Sequence, residues 1–161
     1  RLMSEALKPY HQSDLKVQFV SNLDPQELRQ ALAGCVPAQT MFILASKSFS
    51  TQETLENAKL AKKWLQDNLQ TQEVNAHFIA ITAKPELASQ WGLADEQILS
   101  IWDWVGGRFS IWSAMALPVA LQIGMEHFYA FLKGGYAIDK HLREAPLGQN
   151  LPVMMALLGI W

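Results

Sequence analysis

The stretch Met41-Phe42-Ile43-Leu44-Ala45-Ser46-Lys47-Ser48-Phe49-Ser50-Thr51-Gln52-Glu53-Thr54 decides the fold. Its first five residues are apolar without alternation. Flanked by helix-like segments, such a run reads as a strand buried on both faces, as in a parallel sheet. A cluster of hydroxyls and a lysine follows. Ser50 then reads as the cap of a helix, with Glu53 three residues on completing a capping box. Leu55, Ala58, Ala61, Leu65 and Leu69 recur at spacings of three and four, the inner stripe of that helix.

The same alternation extends outward. Downstream, Phe78 to Ile81 reads as a strand, a short helix runs from Pro85 to Gly92, and Ile98 to Trp102 is a further strand. Upstream, Val17-Gln18-Phe19-Val20 is a strand candidate. Asp24-Pro25-Gln26-Glu27 is a helix start, with Asp24 as cap, Pro25 in the first position and Glu27 returning to the cap; Gly34 ends that helix. Ser4 to Tyr10 resembles a helix tail stopped by Pro9. The order β-α-β-α-β-α-β over about 15–105 predicts an α/β fold. It is a Rossmann-like three-layer αβα sandwich on a parallel sheet with right-handed crossovers. The pattern then turns helical over 110–161: Ser110 to Gly124, Met125 to Lys133, Tyr136 to Arg143, and Leu151 onward. Asn150 is a candidate N-cap, and Pro118 is expected to kink the helix that contains it.

Size and composition narrow the function classes. The 161 residues suit one domain; half are apolar and 17% are charged, as in ordinary globular proteins. A formal charge of −2 without a basic stripe argues against a nucleic-acid or acidic-membrane binder. The apolar run Ile111 to Leu121 is too short to span a membrane. Cys35, alone, allows no internal disulfide and reads as a buried filler in a reducing compartment. Arg1 is not an initiator methionine, and the last eleven residues end on Ile160 and Trp161 without a polar tail. The expectation is a piece of a longer protein.

Two stretches carry candidate chemistry. At the first, a helix N-terminus offers free N–H groups and partial positive charge, to which Ser46, Ser48, Ser50 and Thr51 add hydroxyls and Lys47 a charge. That combination suits a phosphate. The Walker A pattern is absent, and the alternative is a well-capped helix with a polar lead-in. The second stretch is Trp102-Asp103-Trp104-Val105-Gly106-Gly107-Arg108-Phe109-Ser110. Its glycines allow close backbone approach, and Arg108 offers a guanidinium for an anion or a developing oxyanion. The alternative is a tight turn with Arg108 paired to Asp103. In an open α/β sheet, ligands bind outside the carboxyl ends of the strands, where both stretches lie. His11, His77, His127 and His141 form no metal-ligand spacing and read as packed or surface histidines. Glu126 and His127 point about 100° apart on a helix and make a poor acid/base pair. Trp102, Trp104, Trp112 and Trp161 read as core packing rather than a base-stacking platform.

On these residues the chain resembles the glucose-6-phosphate isomerases, the phosphoglucose isomerase family. Asp103 to Ala114 is similar to one family signature and Phe42 to Thr54 to its phosphate-loop segment. Ala145 to Val153 and Ala156 to Trp161 also resemble the family. Ser48 stands where threonine is common and Phe109 where tyrosine is. The resemblance implies that 1–161 is a single, partial sugar-isomerase (SIS) domain whose complete form has a five-stranded parallel sheet between helices. It implies interconversion of glucose 6-phosphate and fructose 6-phosphate through an enediolate, in glycolysis and gluconeogenesis. It also implies no metal and no redox cofactor, no nucleic-acid or membrane partner, and a homodimeric cytoplasmic enzyme. By residue, it implies that Ser46, Lys47 (through its backbone), Ser48 and Thr51 hold the sugar's phosphate, with Gln52 close by. Gly107 and Arg108 would line the reacting end, Arg108 stabilising the enediolate.

The family's catalytic glutamate lies in a glutamate-serine-asparagine-glycine-lysine segment expected beyond Trp161, with its ring-opening histidine and a further lysine later. A glycine- and serine-rich phosphate loop is expected before Arg1. No local Glu, His or Lys takes over these roles, so the 161-residue chain alone is expected to be inactive. The alternative function is a non-catalytic SIS-type module that senses phosphosugars. A nucleotide-binding protein is disfavoured by the missing Gly-x-Gly-x-x-Gly.

Overall fold

The computed structural model describes residues 1–12 and 14–161. It forms two compact units, Lys16–Leu117 and Arg1–Leu15 with Pro118–Trp161. In the first, three strands, β1 (Phe42–Ala45), β2 (Phe78–Thr82) and β3 (Ile98–Ser100), pair in parallel in the order β1-β2-β3. Phe42 lies opposite Phe78 and Ala45 opposite Ile81; Ala80 lies opposite Ile98 and Thr82 opposite Ser100. Side chains alternate across the sheet. Phe42, Leu44, Phe78, Ala80 and Ile98 enter one apolar cluster, Ile43, Ile81 and Leu99 the other.

Helix α3 (Gln52–Leu69) connects β1 to β2, and helix α4 (Pro85–Gln90) connects β2 to β3. Two steps in one direction, made with the same hand, put both crossovers on the same face. The packing agrees: Ala58, Ala61 and Leu65 of α3 and Ala88 of α4 join Leu44, Phe78 and Ala80 in one core cluster. On the opposite face, Ala114, Met115 and Leu117 pack near Ile81, Ile101 and Val105. The sheet is parallel and the C-terminal part helix-rich, as the pattern predicts.

Several local expectations fail for identifiable reasons. Val17–Val20 forms no strand. That segment is held instead by a side-chain bond, Gln18 Nε2 donating to the Ala31 carbonyl at 2.7 Å. β1 is not buried along both faces: it is an edge strand here, with Ala45 exposed and Met41 outside the ladder. β2, paired on both sides, is the strand that is buried nearly throughout. β3 ends at Ser100, two residues before its expected end at Trp102.

Helix α2 (Pro25–Leu32) is capped by Asp24, whose Oδ1 accepts from Gln26 N–H at 2.9 Å. Glu27 does not return to the cap. Its carboxylate accepts from the backbone of Ser21 and Asn22, and Asp24 N–H goes to Asn22 Oδ1.

The edge of the sheet at the strands' amino ends is stitched by amide and imidazole groups. Gln97 Nε2 donates to the carbonyls of Asn75 and Phe78 at 2.7 and 2.8 Å. Asn75 Nδ2 donates to Gly92 O, and His77 Nδ1 donates to Thr40 O. Cys35 is half-buried, its thiol on the Ala31 carbonyl.

The second unit begins with α1 (Leu2–Ala6), followed by a 3-10 turn at Lys8–Tyr10 where Pro9 ends the helical run. Its main element, α5 (Leu117–Glu144), starts later than expected, because two 3-10 turns occupy Gly107–Trp112 and Ala114–Ala116. Pro118 therefore falls in a first turn, where its missing N–H costs nothing, and it produces no kink. The irregularity is at Gly124, with φ 76° and ψ 158°. The expected break between Lys133 and Tyr136 is absent; Gly134 and Gly135 stay helical, at roughly 1 kcal/mol each relative to alanine. Asn150 caps α6 (Leu151–Ile160), accepting from Val153 N–H while its amide donates to Leu142 O at 2.8 Å. Among the described residues, no helix is long and apolar enough to cross a membrane.

Candidate functional site

β1 delivers its chain end into the turn 46–51. Ser46 N–H bonds the Ile81 carbonyl at 3.0 Å, extending the ladder by one residue. The turn is anchored by Phe49, whose ring is buried in the core while its backbone takes a left-handed φ of 48°. A side chain in that region costs on the order of 1–3 kcal/mol. Burying a phenylalanine offsets it with about 1.5–3 kcal/mol. With Phe49 turned inward, Lys47, Ser48 and Ser50 are left on the outside.

The helix start is unusual. Thr51, not Ser50, is the N-cap of α3, and its side chain makes no capping bond. Its hydroxyl instead shares a hydrogen bond with the buried Ser46 hydroxyl at 3.0 Å. Ser50 Oγ donates to Ser48 Oγ at 2.8 Å, so the expected Ser50–Glu53 capping box does not form. The first-turn N–H groups of α3 have no side-chain cap, and the N–H groups of Lys47 and Ser48 have no partner among the described residues. Free N–H groups beside four clustered hydroxyls make an array of donors that can receive an anion. Gln52 is the first residue of α3 and exposed at its rim.

Lys47 ties this turn to its neighbours. Its carbonyl accepts from Ala83 N–H at 2.9 Å and from Thr82 Oγ1 at 3.1 Å. Its ammonium donates to the Asp103 carbonyl. The first and second stretches are thereby joined through a direct bond.

The second stretch follows β3 and turns at Gly107, whose φ of 55° favours glycine; Ser110 Oγ closes the turn on the Gly107 carbonyl at 2.8 Å. Arg108 is exposed and forms no ion pair among the described residues. Asp103, the alternative partner for Arg108, faces Lys84 at 3.9 Å instead. The guanidinium is left uncommitted.

The tryptophans depart from expectation. Trp102 and Trp104 lie past the end of β3, stacked on one another with centroids 5.2 Å apart and 63% and 78% exposed. Trp112 and Trp161 are also exposed. The packed indoles are Trp64, edge-on to Phe42, and Trp91, edge-on to Phe78 and beneath the Lys62 ammonium. The histidines each have a hydrogen-bond partner, and no group of three or more His, Cys, Asp or Glu able to hold a metal exists among the described residues. Sequence reasoning passed over Thr82. The available signal was a hydroxyl residue directly after the apolar run Phe78–Ile81.

A sequence model described as phosphoglucose isomerase matches residues 1–161. The chain belongs to the phosphoglucose isomerase family. Among its relatives, the glucose-6-phosphate isomerase of Laribacter hongkongensis is 51% identical over 161 residues, covering 100% of this chain and 29% of the relative. That of Saccharophagus degradans is 48% identical over 162 residues, covering 100% of this chain and 30% of the relative. The crystal structure of a glucose-6-phosphate isomerase from Chlamydia trachomatis superposes with a TM-score of 0.81 at 31% identity, covering 99% of this chain and 30% of that one. A hypothetical protein from Thermus thermophilus, at 28% identity, gives 0.77 and covers 98% of this chain and 38% of its own. The chain thus spans about three-tenths of the length of the curated phosphoglucose isomerase relatives described.

Proposed function

We propose that this chain supplies the phosphate-binding and enediolate-stabilising parts of an aldose–ketose isomerase acting on glucose 6-phosphate and fructose 6-phosphate. The observation that carries the reading is the uncapped start of α3: the Thr51 hydroxyl pairs with that of Ser46, and the first-turn N–H groups have no side-chain cap among the described residues. In this reading Ser46, Lys47 through its N–H, Ser48 and Thr51 hold the phosphate, with Gln52 at the rim. A cradle of N–H and O–H donors suits a tetrahedral dianion, because each donor meets an oxygen without a full charge having to be buried.

The reaction moves a proton from the carbon beside the carbonyl of the open-chain sugar to the former carbonyl carbon, and the hydroxyl proton on that neighbouring carbon passes to the former carbonyl oxygen. The intermediate is an enediolate. Arg108, without an ion pair among the described residues, stabilises that oxyanion, and Gly107 gives it room to approach. The base that takes the proton is assigned to no residue of this chain, so the reading is of binding and electrostatic stabilisation rather than turnover. Family membership further supports a homodimeric, cytoplasmic enzyme as the setting.

The test is calorimetric titration of fructose 6-phosphate into this chain, with Ser48→Ala and Arg108→Ala alongside. Binding weakened by both changes is expected. No binding by a chain shown folded by circular dichroism, or binding indifferent to both changes, would refute the reading.

A further inference from the structure

From the bonds that fix the 46–51 turn, we infer that Thr82 is a positioning residue for the anion cradle, setting the direction in which the Ser48 N–H group points. The inference rests on the phosphate reading above. Thr82 ends the central strand and is fully buried. A hydroxyl there is costly to bury unless it is bonded. Its donor and acceptor are both used: Oγ1 donates to the Lys47 carbonyl at 3.1 Å and accepts from Lys84 N–H at 3.0 Å. The Lys47 carbonyl receives a second bond, from Ala83 N–H at 2.9 Å.

Two donors on one carbonyl hold the Lys47–Ser48 peptide with its oxygen toward β2. In a trans peptide the N–H points opposite to the C=O, so the same bonds turn the Ser48 N–H away from the sheet, toward the open side of the turn. Thr82 itself touches no ligand in this account. It acts through the backbone of Lys47. The strained Phe49 would otherwise allow the turn to relax, since a left-handed residue persists only where its surroundings over-determine it. The hydroxyl, not the methyl, is what the role needs, and serine would supply it.

The test uses the whole chain, ¹⁵N-labelled, titrated with inorganic phosphate and followed at the backbone amides. Thr82→Val keeps the shape and removes both bonds; Thr82→Ser keeps both. The expected result is binding by the unmodified chain centred on the Lys47 and Ser48 amides, at least tenfold weaker binding in Thr82→Val, and recovery to within threefold in Thr82→Ser. Unchanged affinity in a folded Thr82→Val overturns the inference and leaves the phosphate reading standing. No phosphate binding by the unmodified chain overturns the phosphate reading, and the inference with it. A second measurement guards against a valine variant that fails to fold. In the unmodified chain the Thr82 hydroxyl proton should exchange slowly enough to be seen; exchange at the rate of a free hydroxyl overturns the inference by itself.

Discussion

Replacing Thr51 by aspartate separates stability from binding. α3 is 18 residues long and starts without a side-chain cap. Aspartate at the N-cap is worth about 1 kcal/mol of capping and about 0.3–1 kcal/mol from its charge at the positive end of the helix. Against this stands the hydrogen bond between Thr51 and Ser46, about 1 kcal/mol net, which is lost unless the carboxylate accepts from the Ser46 hydroxyl. The balance lies between about 0.3 and 2 kcal/mol in favour of the variant. For a chain of this size, 1 kcal/mol shifts the melting temperature by about 2–4 °C, so a rise of about 1–8 °C is expected. Binding should move the other way. A carboxylate about 4 Å from a phosphate charge is disfavoured by about 4 kcal/mol at a surface-like dielectric, roughly a thousandfold in affinity. Differential scanning fluorimetry and calorimetry with fructose 6-phosphate read the two quantities. Binding retained within threefold would show that no anion sits at this helix start. A Tm lowered by more than about 5 °C would show that Thr51 is not a spare cap.

Two further outcomes follow from other parts of the molecule. Asn150→Ala removes the α6 cap and leaves the Leu142 carbonyl short of a donor, which should cost roughly 1–3 kcal/mol; faster hydrogen exchange across Leu151–Ile160 is the readout. Trp91→Ala should destabilise by about 3 kcal/mol, whereas Trp104→Ala, 78% exposed, should stay within about 0.5 kcal/mol in a denaturant titration. Equal effects at the two positions would contradict the packing described.

The alternating core was legible because burial writes itself into composition. The runs at 42–45 and 78–81 and the stripe Ala58, Ala61, Leu65 need no tertiary knowledge to be seen. Hydroxyl and carboxylate partners were not legible, since several are within reach and the fold chooses. Thr51 satisfies Ser46 rather than its own helix, and Glu27 satisfies the Ser21 and Asn22 amides rather than its cap. The tryptophans misled for a related reason. Trp102 follows an apolar strand in sequence, but the ladder stops at Ser100, and hydrophobicity alone does not mark the residue at which pairing ends. The candidate site residues were found through chain pattern and resemblance. Thr82 was missed because a single threonine at the end of a strand has no distinctive spacing.

The stitched edge of the sheet has a consequence for change over time. Gln97, Asn75 and His77 lock the amino ends of the strands with side chains that each serve a fixed carbonyl. The carboxyl ends open into turns whose outward groups, Lys47, Ser48, Gln52 and Arg108, are exposed and carry little of the core. Substitutions are thereby sorted by location. Those at the locked edge disturb folding, while those at the open edge leave the core intact at small cost to stability. A library confined to the open edge should accordingly yield mostly folded variants, and one confined to the locked edge should yield few.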